Sequence, residues 1–333
     1  MNIQDYLKKV KSRRGKKIIQ TALKMGAKVQ ILSRDFNILK LSWRGKTKLL
    51  YNEQIHFNLN PGPKIAKNKE ATKLLLREND INAPAGVYAG SYSEALRLMQ
   101  NKQINFPIVL KPIDASDGIG VLVGVENKKE LSTAISRMRL SLKKSKKKSS
   151  GLFIIENVKS GRDYRILILN NQVIACAERM PAHVIGDGKS KIKELVSNFN
   201  KTRPPRYLLK IDADILKTLR RNRLTPGSIL AKGQYLQLRR NANISSGGKS
   251  IDKTGNISKR FVKIAQRCVR ALGLNYAGID IMTDDISLDD PHKPYCIIEI
   301  NGYPEYEPHE KPIVSGKGVK VAEILVKEFM RRR

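Results

Sequence analysis

The spacing of apolar residues near the N-terminus predicts a small region of helices followed by strands. Apolar residues recur at helical intervals in 3–10 and again in 18–23. Three later segments have the composition of strands, at 28–32, 38–43 and 48–52. Pro61-Gly62-Pro63 then interrupts the pattern. We therefore expect an N-terminal α/β lead-in region over residues 1–63.

The following segment combines helices and strands around a glycine-bearing loop. Ser91, with Glu94 three residues later, has the pattern of a capping box at the start of a helix. The helical pattern of KKELSTAISRMRL runs into the lysine run 143–150, which is typical of a mobile, solvated surface loop. Two strands flank the loop IDASDGIG, at 106–112 and 120–125. These elements form a predicted first lobe over residues 64–150.

The remainder of the chain, residues 151–333, is dominated by apolar strands. GLFIIENV, YRILILN and QVIACAERM follow one another with short polar breaks, and YAGIDIM and YCIIEIN come later. Between and after them lie amphipathic helices, of which RFVKIAQRCVRAL is the strongest and VAEILVKEF the last. Consecutive strands with short connections favour antiparallel pairing. The predicted fold class is therefore α+β, with mixed helices and antiparallel sheets.

Composition narrows the class of protein. The 333 residues include 64 Lys+Arg and 30 Asp+Glu, a net charge of +34, which indicates an anionic partner. Hydrophobic residues make up 41%, so the chain is not a disordered basic tail. The three cysteines have no metal-ligand spacing, and we expect buried free thiols. With no long apolar run and no signal-peptide pattern, we expect a cytoplasmic protein without a membrane span.

Carboxylates in the last two strands are the first candidates for chemistry. Asp280 lies in AGIDIM, and Glu299 and Asn301 lie two residues apart in IIEIN, so these two share a face of the strand. Oxygen ligands from adjacent strands suit Mg²⁺, which also takes substrate phosphates. The same residues could equally be strand-end groups that face water.

Two further clusters suggest nucleotide contacts. Lys111 ends a buried strand beside the glycine loop, where it could hold phosphates, although a plain hairpin turn is also consistent with this pattern. Glu156 ends another apolar strand, and Asp163 follows seven residues later. These two acids could accept hydrogen bonds from an adenine amino group and a ribose hydroxyl.

Taken in order, these motifs resemble the ATP-grasp superfamily of carboxylate–amine ligases over residues 64–330. The resemblance implies ATP as cofactor and two Mg²⁺ ions, which Mn²⁺ could replace. It implies an ATP site with two phosphate-side lysines, a mobile glycine-rich loop, an adenine hinge and a ribose acid. These residues are Lys69, Lys111, Ser116, Gly118, Gly120, Glu156, Val158 and Asp163. The implied metal ligands are Asp280, Glu299 and Asn301.

A narrower resemblance is carried by RMPAHVIGDGKSKIKELV, LRRNANISSGG and EINGYPEYEPH. These segments look like the ATP-grasp regions of cyanophycin synthetases and of bifunctional glutathione synthetases. The resemblance implies that Arg179 and Arg239 hold the γ-phosphate or an acyl phosphate, and that Asn243 lies at the substrate end. Arg165 could orient the γ-phosphate or a carboxylate, or could be an exposed strand arginine.

The implied activity is ATP-dependent ligation of a carboxylate, on an amino acid or peptide, to an amine. It would proceed through an acyl phosphate and release ADP and phosphate. A glutathione-synthetase-like enzyme is one alternative. A non-catalytic, basic, nucleic-acid-associated protein on the same scaffold is another, and the charge of +34 leaves association with a polyanion open. Family members are commonly dimers or tetramers, and the oligomeric state stays open, with a homodimer as one candidate.

Overall fold

The computed structural model describes residues 3–331 except 11, 34–36, 53, 59–60, 114–118, 146–148, 202, 204 and 313. Its N-terminal part consists of α1 (Ile3–Lys9), α2 (Arg13–Lys24), β1 (Lys28–Ser33), β2 (Ile38–Trp43) and β3 (Lys46–Tyr51). The three strands form an antiparallel sheet in the order β1-β2-β3. The predicted helices and strands of this region are therefore present.

The next part begins with α3 (Gly62–Lys67), α4 (Lys69–Glu78), β4 (Gly86–Ala89), α5 (Tyr92–Asn101), β5 (Ile108–Pro112), β6 (Leu122–Val125), α6 (Lys128–Lys144) and β7 (Phe153–Asn157). Its strands form an antiparallel sheet in the order β4-β7-β5-β6. Helices α5 and α6 cover one face of this sheet and bury a core of their own.

The largest sheet follows, built from β8 (Arg162–Leu169), β9 (Gln172–Met180), β12 (Lys249–Asp252), β13 (Tyr276–Thr283) and β14 (Tyr295–Asn301) in the antiparallel order β12-β9-β8-β13-β14. A small hairpin of β10 (His183–Ile185) and β11 (Tyr235–Gln237) packs with α7 (Ile192–Asn200) and α8 (Ala213–Arg221). The remaining helices are α9 (Lys259–Leu272), α10 (Glu307–Glu310) and α11 (Val321–Arg331). All the sheet pairings of the described strands are antiparallel, which confirms the predicted α+β class.

The N-terminal sheet does not have a core to itself. Its buried residues, such as Leu39, Leu41 and Leu50, share one hydrophobic cluster with Leu325 and Val326 of α11. The side chain of Asn58 adds a polar connection: it donates to the carbonyl oxygens of Tyr276 and Gly302 at 2.8 and 2.7 Å, and accepts from the backbone N–H groups of Asn275 and Tyr276 at 2.8 Å. The lead-in region and the largest sheet are thus held together by apolar and polar contacts, and a domain boundary at residue 63 stays a prediction.

Some local predictions differ from the structure. Lys143 and Lys144 belong to α6 rather than to a surface loop, because lysine has a good helix propensity and suits the C-terminal end of the helix dipole; residues 146–148 lie outside the described part. At the predicted capping box, Ser91 Oγ accepts from the Glu94 N–H at 3.2 Å. The Glu94 carboxylate accepts instead from Gly90 N–H at 2.8 Å, one residue earlier than the motif implies.

None of the helices in the described ranges is both long enough and apolar enough to cross a lipid bilayer. The three cysteines, Cys176, Cys268 and Cys296, are buried free thiols, as expected from their apolar sequence surroundings.

Candidate active site

A cavity of about 840 Å³ is lined by residues of both the four-stranded and the five-stranded sheets. Part of its wall is apolar, formed by side chains of β5, β6, β13 and β14. The rest carries many of the charged residues singled out from the sequence. The predicted site residues that line it are Lys69, Lys111, Glu156, Val158, Asp163, Arg179, Asn243, Asp280 and Glu299. Residues from distant parts of the sequence therefore meet around one space large enough for a nucleotide-sized ligand.

Glu156 is the centre of a buried ionic cluster at one end of this cavity. Its carboxylate accepts from Lys111 Nζ at 2.8 Å and forms a second ion pair with Lys73. All three side chains are at least nine-tenths buried. Burial, opposed by the charge of Glu156, lowers the pKa of Lys73. Two lysines on one carboxylate leave a net positive charge beside the cavity, which suits an anionic ligand.

Lys73 is a site residue that the sequence reasoning missed. It lies one helical turn after Lys69 on the face of α4 whose buried residues also include Thr72 and Leu76. The spacing of Lys69 and Lys73 places both side chains on that face, and this was the available signal. Glu178, a buried carboxylate that lines the 840 Å³ cavity, was also missed; its signal was an acidic residue within the apolar strand β9.

The register of the largest sheet places a row of charged residues across it. Asp163 lies opposite Arg179, Arg165 opposite Asp280, and Asp280 opposite Glu299. Arg179 donates to Asp163 at 2.6 Å and lies 3.1 Å from Asp280, which is also paired with Arg165. Burial opposes the ionisation of Asp280, but the two guanidinium groups outweigh it and hold its pKa below the ordinary value.

The donor set on the neighbouring strands β13 and β14 fits Mg²⁺ as a partial site. Asp280 and Glu299 are cross-strand neighbours that both line the cavity, and Lys69 Nζ lies 3.6 Å from Glu299. Mg²⁺ typically takes one or two protein carboxylates and completes its shell with phosphates and water. Across the described ranges, no cluster of three or more His, Cys, Asp or Glu residues could hold a metal ion alone. A divalent ion here would therefore depend on a phosphate-bearing ligand.

Several predicted residues lie apart from the cavity. Arg165 is paired with Asp280 without lining the cavity, and Asn301 lies opposite Gly278 at the end of β14. Arg239 donates to Asp212 at 2.6 Å and lines a second groove of about 180 Å³ between β6 and α8.

In the predicted glycine-rich loop, Gly120 has a φ of +73°, a conformation that favours glycine. Ser116 and Gly118 are outside the described residues.

His309 lies close to this row of charged residues on the largest sheet, but it is itself neutral. Its side chain is 3% exposed, and burial together with the charges of Arg165 and Arg179 lowers its pKa to about 3. Its Nδ1 atom is buried without a hydrogen-bond partner among the described residues. His309 is therefore unprotonated at neutral pH.

Residues 66–192 match the family described as the RimK-like ATP-grasp domain. The fold is shared with a bifunctional glutathione synthetase from Pasteurella multocida, with a TM-score of 0.66 and 24% identity over 95% of this chain and 44% of that one. The protein therefore has the ATP-grasp fold, and the match to the RimK-like ATP-grasp domain extends over residues 66–192.

Curated relatives extend the similarity beyond that segment. Cyanophycin synthetase of Trichormus variabilis is 34% identical over 262 residues, which cover 75% of this chain and 28% of the relative. The glutathione biosynthesis bifunctional protein of Desulfotalea psychrophila is 30% identical over 311 residues, covering 89% of this chain and 38% of the relative. The resemblance to these two groups is confirmed. The chain spans less than half the length of each of these relatives.

Proposed function

We propose that this protein is an ATP-dependent ligase that joins a carboxylate, on an amino acid or peptide, to an amine through an acyl phosphate. The observation that carries the proposal is that one cavity is lined by the basic residues Lys69, Lys111 and Arg179 and by the carboxylates Asp280 and Glu299. Transfer of a phosphoryl group requires positioning and charge neutralisation more than a covalent nucleophile. The named relatives, cyanophycin synthetase and the glutathione biosynthesis protein, support the same reading.

On the nucleotide side, the proposed roles follow from charge and shape. Lys69 and Lys111 bind the phosphates, assisted by the net positive charge of the Glu156 cluster. The exposed apolar side chain of Val158 at the cavity edge offers a surface for the adenine ring, and Asp163 accepts from the ribose. Ser116, Gly118 and Gly120 are proposed as part of the loop over the triphosphate, on the family pattern alone.

On the metal and substrate side, Asp280 and Glu299 hold Mg²⁺ together with the phosphates, and Asn301 is proposed as a third ligand. When bound, the ion would neutralise the charge on the transferring phosphoryl group. Arg165 and Arg179 are within reach of Asp280, so they hold its carboxylate in place before the ion arrives. Arg239 and Asn243 are proposed to bind the acyl phosphate end of the substrate.

The test is amine-dependent release of ADP and phosphate. The full chain is incubated with ATP, Mg²⁺ and pools of amino acids and dipeptides, including a dipeptide with a small amino acid for a glutathione-synthetase-like reaction. We expect at least one pool to stimulate release, and Glu299→Gln to reduce the stimulated rate about 100-fold or more, since each carboxylate neutralises transition-state charge. Glu78→Gln, an exposed carboxylate change on α4, is the matched control. Release that no pool stimulates would contradict the proposal.

We also propose that two Mg²⁺ ions act in the site and that Mn²⁺ can replace them. The rate of ADP release, measured with each metal in turn, would test this. The protein is a cytoplasmic homodimer, and light scattering would measure its mass. Its charge of +34 attracts polyanions. Retention on a heparin column that weakens as salt is added would test this attraction. The division into 1–63, 64–150 and 151–333 would be tested by limited proteolysis.

A further inference from the structure

Two cationic side chains, those of Arg203 and Lys249, lie around Phe199 at the end of α7. The guanidinium carbon of Arg203 is 4.7 Å from the centroid of the Phe199 ring, and Lys249 Nζ is 5.0 Å from it. No carboxylate in the described part of the chain forms an ion pair with either cation. Like charges that lie near each other raise each other's free energy. An anion that contacts both cations would lower this free energy.

Arg203 adds an unused donor to the same place. The residue is 6% exposed, and its Nε donates to the Tyr207 carbonyl oxygen at 2.8 Å. Its Nη2 donates to the carbonyl oxygens of Ile244 and Gly248, at 3.2 and 2.7 Å. Its Nη1 is buried and has no hydrogen-bond partner among the described residues. A buried donor on a charged group costs free energy when it has no acceptor. An oxygen atom of a ligand could supply the acceptor for Nη1.

His183 completes the cluster as a neutral group. Its Nδ1 lies 2.9 Å from the Pro181 carbonyl oxygen, which makes Nδ1 the donor and leaves Nε2 to accept from Lys249 Nζ at 3.2 Å. Burial, and then the charge of Lys249, keeps the pKa of His183 low, while burial and the charge of Arg203 lower the pKa of Lys249. His183 therefore orients Lys249 without neutralising its charge.

The cluster lies beside the proposed substrate end of the main cavity. The loop 243–248 begins at Asn243, which lines that cavity, and Arg203 binds the carbonyl oxygens of Ile244 and Gly248 in the same loop. Lys249 pairs with Met180, another cavity residue, and its side chain is partly exposed. A ligand group could reach Lys249 from solvent while the rest of the molecule occupies the cavity.

We propose that Arg203 and Lys249 form an oxyanion subsite that holds a carboxylate or phosphate group of a ligand. Its role as the anchor for a second anionic group on the ligase substrate rests on the proposed function, whereas the subsite itself does not. A purely structural role for Arg203, clamping the loop 243–248, accounts for its Nε and Nη2 bonds. That role does not explain why Nη1 of Arg203 has no acceptor, or why Lys249 has no carboxylate partner, among the described residues.

The binding test uses Lys249, because a change at Arg203 would also remove three structural hydrogen bonds. Glutarate and inorganic phosphate are titrated calorimetrically into the full chain at constant ionic strength, with Mg²⁺ and a non-hydrolysable ATP analogue present to compete for the main cavity. Lys249→Met is compared with Lys201→Met, which removes an exposed lysine at the end of α7. The two probes distinguish a carboxylate ligand from a phosphate ligand.

We expect the wild type and Lys201→Met to bind at least one probe saturably, and Lys249→Met to bind it at least tenfold more weakly. The ligand-free Tm of Lys249→Met should equal or exceed that of the wild type, because a like-charge repulsion is removed. Equal affinity of the two variants, or no binding of either probe to the wild type, would overturn the subsite.

A kinetic readout connects the subsite to ligation. With a substrate found in the ADP-release assay, Lys249→Met should raise the KM for the anionic substrate at least tenfold and leave the KM for ATP unchanged. If no pool stimulates ADP release, the proposed function fails, and the calorimetric comparison still decides whether the subsite exists. If release is stimulated and Lys249→Met shows a normal KM, the subsite does not serve the ligase substrate.

Discussion

Replacing Glu156 by glutamine tests the buried ionic cluster most directly. In the native protein one carboxylate compensates both Lys73 and Lys111, and all three side chains are nearly inaccessible to water. Glu156→Gln keeps the shape of the side chain but leaves two buried ammonium groups without a counter-charge. The effect on stability therefore measures electrostatics rather than packing.

The expected cost follows from the geometry. At 2.8 Å, the Lys111–Glu156 attraction alone is about 6 kcal/mol with an effective dielectric constant of about 20. The release of the carboxylate from its own desolvation penalty offsets part of this loss. Removal of one partner of a buried pair typically costs about 3–5 kcal/mol, and we expect Glu156→Gln to fall in that range. Adding Lys73→Met should recover about 1–2 kcal/mol, because one of the two unpaired charges is then absent.

Urea unfolding followed by circular dichroism gives both free energies, with the m-value as a check that the folded state is unchanged. Glu70→Gln is the control, since it removes a partly exposed Glu70–Arg77 pair and should cost less than about 1 kcal/mol. A loss below about 1 kcal/mol for Glu156→Gln, or no recovery in the double variant, would refute the electrostatic account of this cluster.

Three further predictions concern stability. His309 has a pKa of about 3 when folded and about 6.5 when unfolded, so the unfolded state takes up the proton first and stability falls as the pH drops through that window. From pH 7.5 to 5.0 the wild type should lose about 2 kcal/mol more than His309→Gln in urea unfolding, and equal losses would contradict this. Asn58→Ala leaves buried backbone groups unsatisfied and should cost about 2–4 kcal/mol by the same measurement; a loss below about 1 kcal/mol would show that these hydrogen bonds contribute little. Gly278→Ala would bring a Cβ within 2.6 Å of Pro304 Cβ, and should cost about 1–3 kcal/mol from overpacking; an unchanged urea midpoint would show that the Pro304 loop yields freely.

Long elements with a clear period could be predicted from the sequence. Strands β8, β9, β13 and β14 and helix α9 each extend over seven or more residues, so their apolar pattern is visible. Strands β4, β10 and β12 were missed, because three or four residues rarely establish a period. Their place in a sheet depends on partners elsewhere in the chain.

The sequence allowed the carboxylates of the candidate site to be predicted, but not all of the cations that pair with them. A carboxylate such as Glu156 or Asp280 within an apolar strand must meet a cation, and the sequence shows this requirement. Which cation it meets depends on tertiary packing, since Lys73 is 83 positions from Glu156 and Arg165 is 115 from Asp280. The assignment of roles to these residues stays a prediction until the variants are measured.

The shared core of the N-terminal sheet has a consequence for biosynthesis. The strands around Leu39, Leu41 and Leu50 leave the ribosome early, but their apolar face is covered in part by Leu325 and Val326, which are made almost three hundred residues later. At a synthesis rate of about 5–20 residues per second, that apolar face stays uncovered for a time on the order of tens of seconds. Nascent chains should therefore engage chaperones through the N-terminal sheet until α11 has emerged.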